Sequence, residues 1–407
     1  MTQATLTKNT RVSTAGLTAL LGLLTAFAPF STDMYLAAFP AMARDLGTDV
    51  GRIQLTLSVF FFGLAIGQLA YGPLSDRFGR RRPLLVGLSI YIAASIGLAM
   101  VRNIEWFLLL RFVQAIGGCA GMIISRAVIR DLFDLEGSAR VLTLMMAVQS
   151  IGPVAAPVIG GYLLGLTSWT SIFILLTLFG VGCLAAAFFT LPESLPAENR
   201  LRQTTGEIGG VFVHLLRKRD FITPALAGAL GGAAIFAFIS GSPFVLMDLY
   251  GFNETQYGWA FGLFCLGTAL MSQSNFLLLR KFSARLVLMI GLSFTAVFGA
   301  ALAFVVSFDG QADLAVLLAL LFLSLWTIPV IAANSTAVAM AFSGSCTGSG
   351  SSLIGMLQFS LAGLISSITS LLHDGSAWPM SFMIMVCGLA ALAVMAWGRV
   401  TKGAASV

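Results

Sequence analysis

The sequence predicts an all-α membrane protein with twelve transmembrane helices in two six-helix halves. Hydrophobic residues make up 58% of the 407 residues and charged residues only 10%, whereas a soluble protein carries roughly 25% charged residues. The apolar residues form continuous runs of about 20, the length of a helix that crosses a bilayer, and not the short alternating segments of a membrane barrel. One long hydrophilic connector separates six such runs from six more.

The positions of these apolar runs define the predicted spans. They are residues 13–38, 52–74, 83–101, 105–128, 139–165 and 170–191 in the first half, and residues 221–246, 256–279, 285–307, 313–341, 347–372 and 378–398 in the second. Residues 1–192 are therefore expected to form one bundle, residues 193–220 a cytoplasmic linker, and residues 221–407 a second bundle.

The distribution of basic residues predicts the orientation of the chain. Of the 23 Lys and Arg residues, all but four face the same side as the N-terminus when twelve spans are threaded through a membrane. Arg44, Arg52 and Arg102 face the other side, and Arg111 lies inside a span. Short loops rich in Lys and Arg stay in the cytoplasm, so both termini are predicted to be cytoplasmic. The formal net charge of +6 reflects these loops. It does not indicate a nucleic-acid surface, since the basic and aromatic residues are not interleaved.

The two halves also show signs of an internal duplication. Trp169 and Phe173 open the predicted sixth span four residues apart, and Trp378 and Phe382 open the twelfth span with the same spacing. A basic turn, residues 280–285, follows the eighth span as a longer basic turn follows the second. Matches at a fixed separation, together with the six-plus-six arrangement, favour a duplicated bundle.

Two ionisable side chains fall well inside predicted spans, Asp33 in the first and Arg111 in the fourth. At ~1.5 Å per residue, both lie ~9–10 Å from the outer end of their span. Such residues usually face a cavity or a charged partner, because an isolated charge is costly inside the membrane. The matched depth allows the two to pair, so that Asp33 can take up or release a proton according to its surroundings. The alternative is that each side chain extends to the outer interface.

The remaining polar chemistry is sparse, and no metal or cofactor is expected. The five cysteines all fall in apolar segments, are odd in number and lack metal-ligand spacing. His214 and His373 lie in the connector and at a span end, where they are expected to be surface residues. The sequence has no Gly-x-x-x-x-Gly-Lys-Ser/Thr loop for ATP, so energy for transport is expected to come from an ion gradient.

The turn after the second span is the most distinctive motif of the chain. It reads Gly-Pro-Leu-Ser-Asp-Arg-Phe-Gly-Arg-Arg over residues 72–81, and its key positions are Gly72, Asp76, Arg77, Gly79, Arg80 and Arg81. This motif resembles the loop between spans 2 and 3 of major facilitator superfamily transporters. The resemblance implies that the loop contacts neighbouring helices and acts as a conformational latch between the two halves.

Two further segments resemble motifs of the same superfamily. The segment from Arg111 to Gly118 is similar to its span-4 motif, with Ala115 at a position that is usually Gly. The resemblance ties Arg111 to proton coupling. The fifth span resembles the motif that marks exporters, through the residues Gly152, Pro153, Pro157, Gly160 and Gly161. Ala156 replaces the first Gly of that motif's final pair, and the resemblance favours efflux.

Segments along the whole chain narrow the resemblance to one branch of drug:proton antiporters, the bicyclomycin and chloramphenicol resistance (Bcr/CflA) branch. They are residues 31–36, 68–76, 126–131, 241–244, 348–353 and 376–379. In this fold, spans 1, 4, 5, 7, 10 and 11 mostly line the central cavity. The resemblance therefore implies a substrate cavity lined from among Tyr35, Gln114, Met145, Met146, Gln149, Phe236, Phe238, Asn334, Gln358 and Phe359.

The sequence is thus expected to encode a proton-coupled exporter of small, largely apolar compounds in the bacterial inner membrane. Its partners are expected to be a small-molecule substrate, protons and the lipid bilayer, with the chain acting as a monomer. Export of a metabolite such as a nucleoside or an amino acid, with incidental drug efflux, is the alternative. A membrane-embedded enzyme or a receptor is disfavoured, because catalysis would need clustered carboxylates, His or Cys at one depth.

Overall fold

The computed structural model describes residues 14–200, 205–309, 312–344 and 347–403, and the regular structure in these ranges is helical. The helices are α1 (Thr14–Thr25), α2 (Phe27–Asp33), α3 (Phe39–Asp45), α4 (Val50–Phe78), α5 (Arg81–Met100), α6 (Ile104–Leu132), α7 (Leu135–Leu166), α8 (Thr170–Thr190), α9 (Thr205–Arg217), α10 (Arg219–Pro243), α11 (Glu254–Leu279), α12 (Ala284–Asp309), α13 (Leu314–Leu325), α14 (Ile328–Met340), α15 (Thr347–Leu371) and α16 (Trp378–Gly403). A 3₁₀ turn, Leu36–Ala38, joins α2 to α3, and a π-helical turn, Phe244–Leu249, extends α10.

The prediction of an all-helical membrane protein is confirmed. Within the described ranges, ten helical segments are long and apolar enough to cross a membrane, and the bent pair Gly16–Thr25 and Phe27–Asp45 makes an eleventh. The predicted span at residues 139–165 corresponds to α7, Leu135–Leu166. Large apolar side chains such as Leu166, 83% exposed, cover the outside of the bundle, as lipid-facing positions require.

Two of the predicted spans are not continuous helices. The first is bent by 41° between α1 and α2 and continues past residue 38 to Asp45. Pro29 lies in the first turn of α2, where its missing N–H removes a bond that a continuous helix would need. The span predicted at residues 313–341 is likewise divided into α13 and α14, with Pro329 in the first turn of α14. The apolar runs were predicted correctly, but the breaks within them were not.

Short polar side chains define where several helices begin. Asp49 Oδ1 accepts a hydrogen bond from the N–H of Arg52 at the start of α4, and Asn103 caps α6 in the same way. At α11, Asn253 and Gln256 form a reciprocal capping box. Each cap satisfies an N–H group that has no partner within its own helix, at a typical gain of about 1 kcal/mol.

The helix contacts repeat in the two halves. In the first half, α2 packs on α7 and α5 packs on α8. In the second half, α10 packs on α15 and α12 packs on α16, which are the corresponding pairs in a duplicated bundle. The Trp–Phe pairs noted in the sequence are in ring contact in both copies, at 6.1 Å between centroids for Trp169–Phe173 and 4.6 Å for Trp378–Phe382. The geometry differs, edge to face in the first pair and stacked in the second.

Two helix pairs form the seams between the halves, α4 with α15 and α7 with α11. We call the end of the bundle that carries the turn at residues 77–82 the basic end, and the other the opposite end. The linker helix α9 lies at the basic end, where Leu215 and Phe212 pack against Phe221 and Leu353 of the second half. The linker is therefore attached to the second half through apolar contacts.

Candidate functional site

Asp33 ends α2 and is the one buried carboxylate among the described side chains, with 4% exposure. The broken first span places it, because the chain leaves the helix directly after Asp33 and turns through Leu36–Ala38. Thr32 Oγ1 donates a hydrogen bond of 2.8 Å to Asp33 Oδ1. A carboxylate with one hydroxyl partner and little water can change its protonation state in response to what approaches it.

Arg111 of α6 is fully buried and lies between two aromatic rings. Its guanidinium carbon is 4.4 Å from the ring centroid of Tyr35 and 4.3 Å from that of Phe60. Nη1 donates a 2.7 Å hydrogen bond to Gln114 Oε1, while Nε and Nη2 have no hydrogen-bond partner among the described residues. Stacking on two rings stabilises the buried charge by cation–π attraction.

The expected direct pairing of Arg111 with Asp33 is not formed in this structure. The ion pairs found among the described residues do not include one between these two side chains. Tyr35 has its ring under the Arg111 guanidinium and is within electrostatic range of both charges. A role of Arg111 in the proton coupling of Asp33 stays a prediction.

A hydrogen-bonded network holds Tyr35 and Gln114 inside the first half. Tyr35 Oη is 2.9 Å from Thr56 Oγ1, and Gln114 Nε2 donates to Ser95 Oγ at 2.8 Å. Tyr91 contributes a further bond between spans, from its hydroxyl to Ser31. Sequence reasoning missed these hydroxyl residues, because one Ser, Thr or Tyr within a span barely lowers its hydropathy.

The turn after Asp33 lies where the first half meets the second. Residues 36–38 contact α10, α11 and α7. Tyr257 and Cys265 of α11 are within electrostatic range of the Asp33 carboxylate, and Tyr257 Oη is 3.0 Å from Ser242 Oγ. Asp33 is therefore placed where a change in its charge can act on both halves.

The exporter-like motif of α7 packs against both halves at the opposite end. An added Cβ at Gly160 would lie 1.9 Å from the Met34 carbonyl oxygen, and one at Gly161 would lie 2.6 Å from that of Glu254. Across the same seam, a Cβ at Gly258 would lie 2.6 Å from the Pro157 carbonyl oxygen. Small residues are required here because the backbones approach this closely.

The other three members of the motif, Gly152, Pro153 and Pro157, act on the shape and contacts of α7. Pro153 and Pro157 lie inside the helix, where each removes one backbone hydrogen bond. A Cβ at Gly152 would lie 3.1 Å from the Pro29 ring, so this part of α7 packs on the broken first span. The motif thus lines the joint between α2, α7 and α11.

The second seam also depends on close contacts along its length. Ser370 donates a hydrogen bond to the Gly51 carbonyl oxygen at the opposite end. Near the middle, a Cβ at Gly363 would lie 3.1 Å from the Phe62 ring. Towards the basic end, a Cβ at Gly355 would lie 2.8 Å from the Gln68 side chain.

Arg80 is the centre of the basic turn. Its guanidinium bonds Asp76, Ser75 at 2.8 Å and Asp131 at 2.8 Å, and its backbone N–H donates to Glu193 at 2.7 Å. Burial alone would lower the pKa of Arg80, but the hydrogen bonds and charges of Asp131 and Asp76 outweigh it and raise that pKa above its ordinary value. The turn is therefore joined to the end of α6 and to the start of the linker.

Gly79 and Arg81 complete this arrangement. Gly79 has a φ of 88°, and a Cβ there would lie 2.4 Å from Glu193 Oε2, so both the backbone and the space require glycine. Arg81 donates to the Phe188 carbonyl oxygen and stacks over its ring, 5.4 Å from the centroid. Arg77 stacks on Phe78 at the same distance.

The role of the basic turn as a latch between the halves stays a prediction. The partners of Arg80 and Asp76 belong to the first half and to the beginning of the linker. Asp76 and the start of α15, from Gly348 to Ser352, instead lie on the walls of one cavity. Asp131 and Glu193 were missed as partners, although both stand at span ends beside the basic turn.

The remaining predicted cavity residues occupy several environments. Phe236 contacts Phe61 across the seam, at 4.6 Å between ring centroids, whereas Phe238 packs between Phe261 and Phe264 inside the second half. Met145 is buried, and Gln358 and Phe359 are half-buried on α15. The side chains of Met146 and Gln149 lie outside the described part of the structure. The role of this set in binding substrate stays a prediction.

Asn334 is buried and forms an amide pair that the sequence did not reveal. Its Nδ2 donates to Asn275 Oδ1 of α11 at 2.7 Å and to the Val330 carbonyl oxygen at 2.8 Å. Asn275 is in a predicted span, but a single neutral amide does not stand out in an apolar run.

The cavity at the basic end has a volume of about 940 Å³. The ends of α4 and α6, the start of α15 and the linker helix α9 line it. Within the described residues, no group of three or more His, Cys, Asp or Glu side chains could hold a metal ion.

Comparison with known proteins gives consistent relatives over nearly the whole chain. A family model for the Major Facilitator Superfamily matches residues 21–367. An uncharacterized MFS-type transporter, YdgK of Bacillus subtilis (strain 168), is 32% identical over 90% of this chain and 91% of its own length. A bicyclomycin resistance protein homolog of Haemophilus influenzae is 30% identical over 90% of this chain and 92% of its own. A multidrug resistance protein, MdtL of Vibrio parahaemolyticus, is 34% identical over 64% of this chain and 63% of its own.

Solved structures match at the level of the fold. A D-xylose–proton symporter superposes with a TM-score of 0.74 over 93% of this chain and 97% of its own, at 13% identity. A bacterial homolog of the human lysosomal transporter Spinster, in an inward-facing and occupied conformation, gives 0.70 over 96% of each chain, at 14% identity.

Proposed function

The chain belongs to the major facilitator superfamily, and from this premise we propose that it exports small, largely apolar compounds across the bacterial inner membrane in exchange for protons. Relatives named for bicyclomycin resistance and multidrug resistance support drug efflux and the Bcr/CflA branch. The exporter-like motif of α7 supports the direction, since its Gly161 lies in the seam that has to open and close at the opposite end.

The proposed proton coupling rests on the burial and position of Asp33. It is the one buried carboxylate of the described side chains, and it ends the helix next to the seam. An ionised carboxylate in this position attracts a proton or a cationic group, and its neutral form releases that attraction. Binding of substrate near the turn that follows Asp33 can therefore favour loss of the proton from Asp33. Substrate then binds as the proton leaves, which is the order that antiport requires.

Alternating access follows from the two seams. The halves rock about a central site in a fold of this kind, and small residues at α7–α11 and α4–α15 let the backbones approach closely when one end is closed. The glycine contacts are tight at the opposite end, and a cavity lies at the basic end. Both features are consistent with a state that is closed at the opposite end. The concentration of basic residues supports a cytoplasmic location for the basic end and for both termini.

Transport into everted membrane vesicles tests the proposal directly. Vesicles from cells that express the protein are expected to accumulate radiolabelled bicyclomycin or chloramphenicol when respiration acidifies their interior. A protonophore should release the accumulated compound. The control is the same membrane with the Asp33→Asn variant, which should be present in equal amount but fail to accumulate either compound. Accumulation that survives the protonophore would exclude proton exchange. Equal accumulation in control membranes that lack the protein would exclude this protein as the exporter.

A further inference from the structure

The cavity at the basic end has several arginines on its wall, and the proposed function assigns no role to them. We propose that this cavity binds the anionic group of an amphipathic substrate, a compound with an apolar body and one carboxylate or comparable anion, and that Arg126 and Arg130 recognise that group. This inference rests on the proposed export function and names a substrate class for it.

Among the described residues, four arginines and one acid line the cavity wall. They are Arg77, Arg80, Arg126, Arg130 and Asp76. The apolar part of the wall includes Ile123, Leu142 and Phe212. A space of about 940 Å³ with a mostly apolar wall and a few charged groups has the size and character of a small-molecule site.

Among the described side chains, the acids near the cavity are already bonded to Arg80. Asp76 and Asp131 both bond its guanidinium, and Asp131 also accepts a hydrogen bond from Ser194. Arg77 stacks on the ring of Phe78. Arg126 and Arg130, by contrast, form none of the ion pairs or side-chain hydrogen bonds found in the described part of the chain. Two guanidinium groups in the wall are therefore free to bind a ligand.

The positions of these two arginines add a physical reason for an anion. They are four residues apart on α6 and lie on the same face of that helix. Like charges at this spacing repel each other when nothing compensates them. A carboxylate between them removes the repulsion and can accept hydrogen bonds from both planar groups.

The start of α15 reinforces the same preference from the second half. Gly348, Ser349, Ser351 and Ser352 line the cavity, so the first turn of this 25-residue helix borders it. The unpaired N–H groups and the dipole of a helix N-terminus favour negative charge. Positive groups thus border the space from two sides, and an organic cation in the same place is repelled.

Binding of a matched acid and amide to the purified protein tests this inference. Calorimetric titration of the full-length protein in detergent at pH 7 compares 1-naphthaleneacetate with 1-naphthaleneacetamide, which share the apolar body and differ in charge. The acid is expected to bind about tenfold more tightly, as a charge-assisted contact to arginine implies. Arg126→Gln or Arg130→Gln should reduce this preference to about threefold or less, with little effect on the amide.

Arg285→Gln provides the matched control. Arg285 is an exposed arginine of the second half that does not line the cavity, so its loss should leave the tenfold preference unchanged. Arg126→Lys keeps the charge without the planar group, and it should retain an intermediate preference if a Gln variant does not fold. Equal affinities for acid and amide in the wild-type protein would overturn the inference. So would a preference that persists in both Gln variants, or one that Arg285→Gln also removes.

The outcome is separable from that of the proposed function. Proton-dependent accumulation of bicyclomycin together with equal binding of acid and amide would leave the export function standing and exclude the anion site. A clear preference for the acid without any accumulation in vesicles would support the site and exclude export of the tested drugs.

Discussion

The glycine contacts at the α7–α11 seam give a prediction whose size can be worked from the structure. A methyl group at Gly161 would lie 2.6 Å from the Glu254 carbonyl oxygen, and ordinary contact begins at 3.4 Å. The two backbones would have to separate by about 0.8 Å, since neither atom belongs to a flexible side chain. Overpacking of this kind costs ~1–3 kcal/mol, and Gly161→Ala should therefore shift the equilibrium away from this state by about five- to 150-fold.

Distances between two spin labels measure that shift. Labels at Leu166 of α7 and Leu263 of α11, both exposed positions, are introduced into a protein whose native cysteines are replaced. Gly161→Ala should move the distance distribution towards longer separations at the opposite end. Gly258→Ala should do the same, because its added methyl would meet the Pro157 carbonyl oxygen at 2.6 Å.

Gly165→Ala is the matched control on the same helix. No atom lies within 4 Å of a Cβ at Gly165, so this variant gains only the better helix propensity of alanine, up to about 1 kcal/mol. Its distance distribution should equal that of the unsubstituted protein. If Gly161→Ala also leaves the distribution unchanged, the seam is not limited by backbone contact and the packing argument is refuted.

Three further predictions concern the buried charges and the basic turn. Asp33→Asn should abolish proton-driven efflux while leaving the amount of protein in the membrane unchanged, measured by vesicle transport and immunoblotting; wild-type pH-dependent transport by this variant would exclude Asp33 as the coupling carboxylate. Arg111→Lys should restore little of the transport lost in Arg111→Gln, because an ammonium group cannot stack on two rings as the planar guanidinium does. An unaltered pH profile of transport in Arg111→Gln would instead separate Arg111 from proton coupling. Gly79→Ala should lower the thermal unfolding midpoint by several degrees, because it strains a residue at φ 88° and displaces Glu193; an unchanged midpoint would contradict the assigned turn geometry.

The sequence predicted the fold class and the positions of nearly all the crossing helices. Hydrophobicity, run length and the basic turn act locally along the chain, and a membrane imposes them strongly because every backbone group must be bonded within its helix. The same reasoning failed at the bend before Pro29 and at the division between α13 and α14. A proline in an apolar run can kink a helix or simply be accommodated, and neighbouring helices decide which.

For the site, the sequence singled out Asp33 and Arg111 because a charge within an apolar run is conspicuous. It could not show that the two form no ion pair in this structure, since whether two residues of different spans touch depends on the rotation and tilt of each helix. The sequence also did not reveal the partners Thr56, Ser95 and Asn275. A neutral polar side chain within an apolar run does not stand out until its hydrogen-bond partner is known.

What the sequence alone determined is therefore the helical membrane fold, the motifs and the few residues whose charge is costly in lipid. What only the tertiary structure decided is which of them meet. It joined Arg80 to Asp131 and Glu193, across 51 and 113 residues of chain, and it placed Arg126 at the wall of a cavity without an ion pair to any described residue. Such contacts arise from the packing of whole helices. That packing depends on many small contact surfaces along several helices and cannot be read from one segment of the chain.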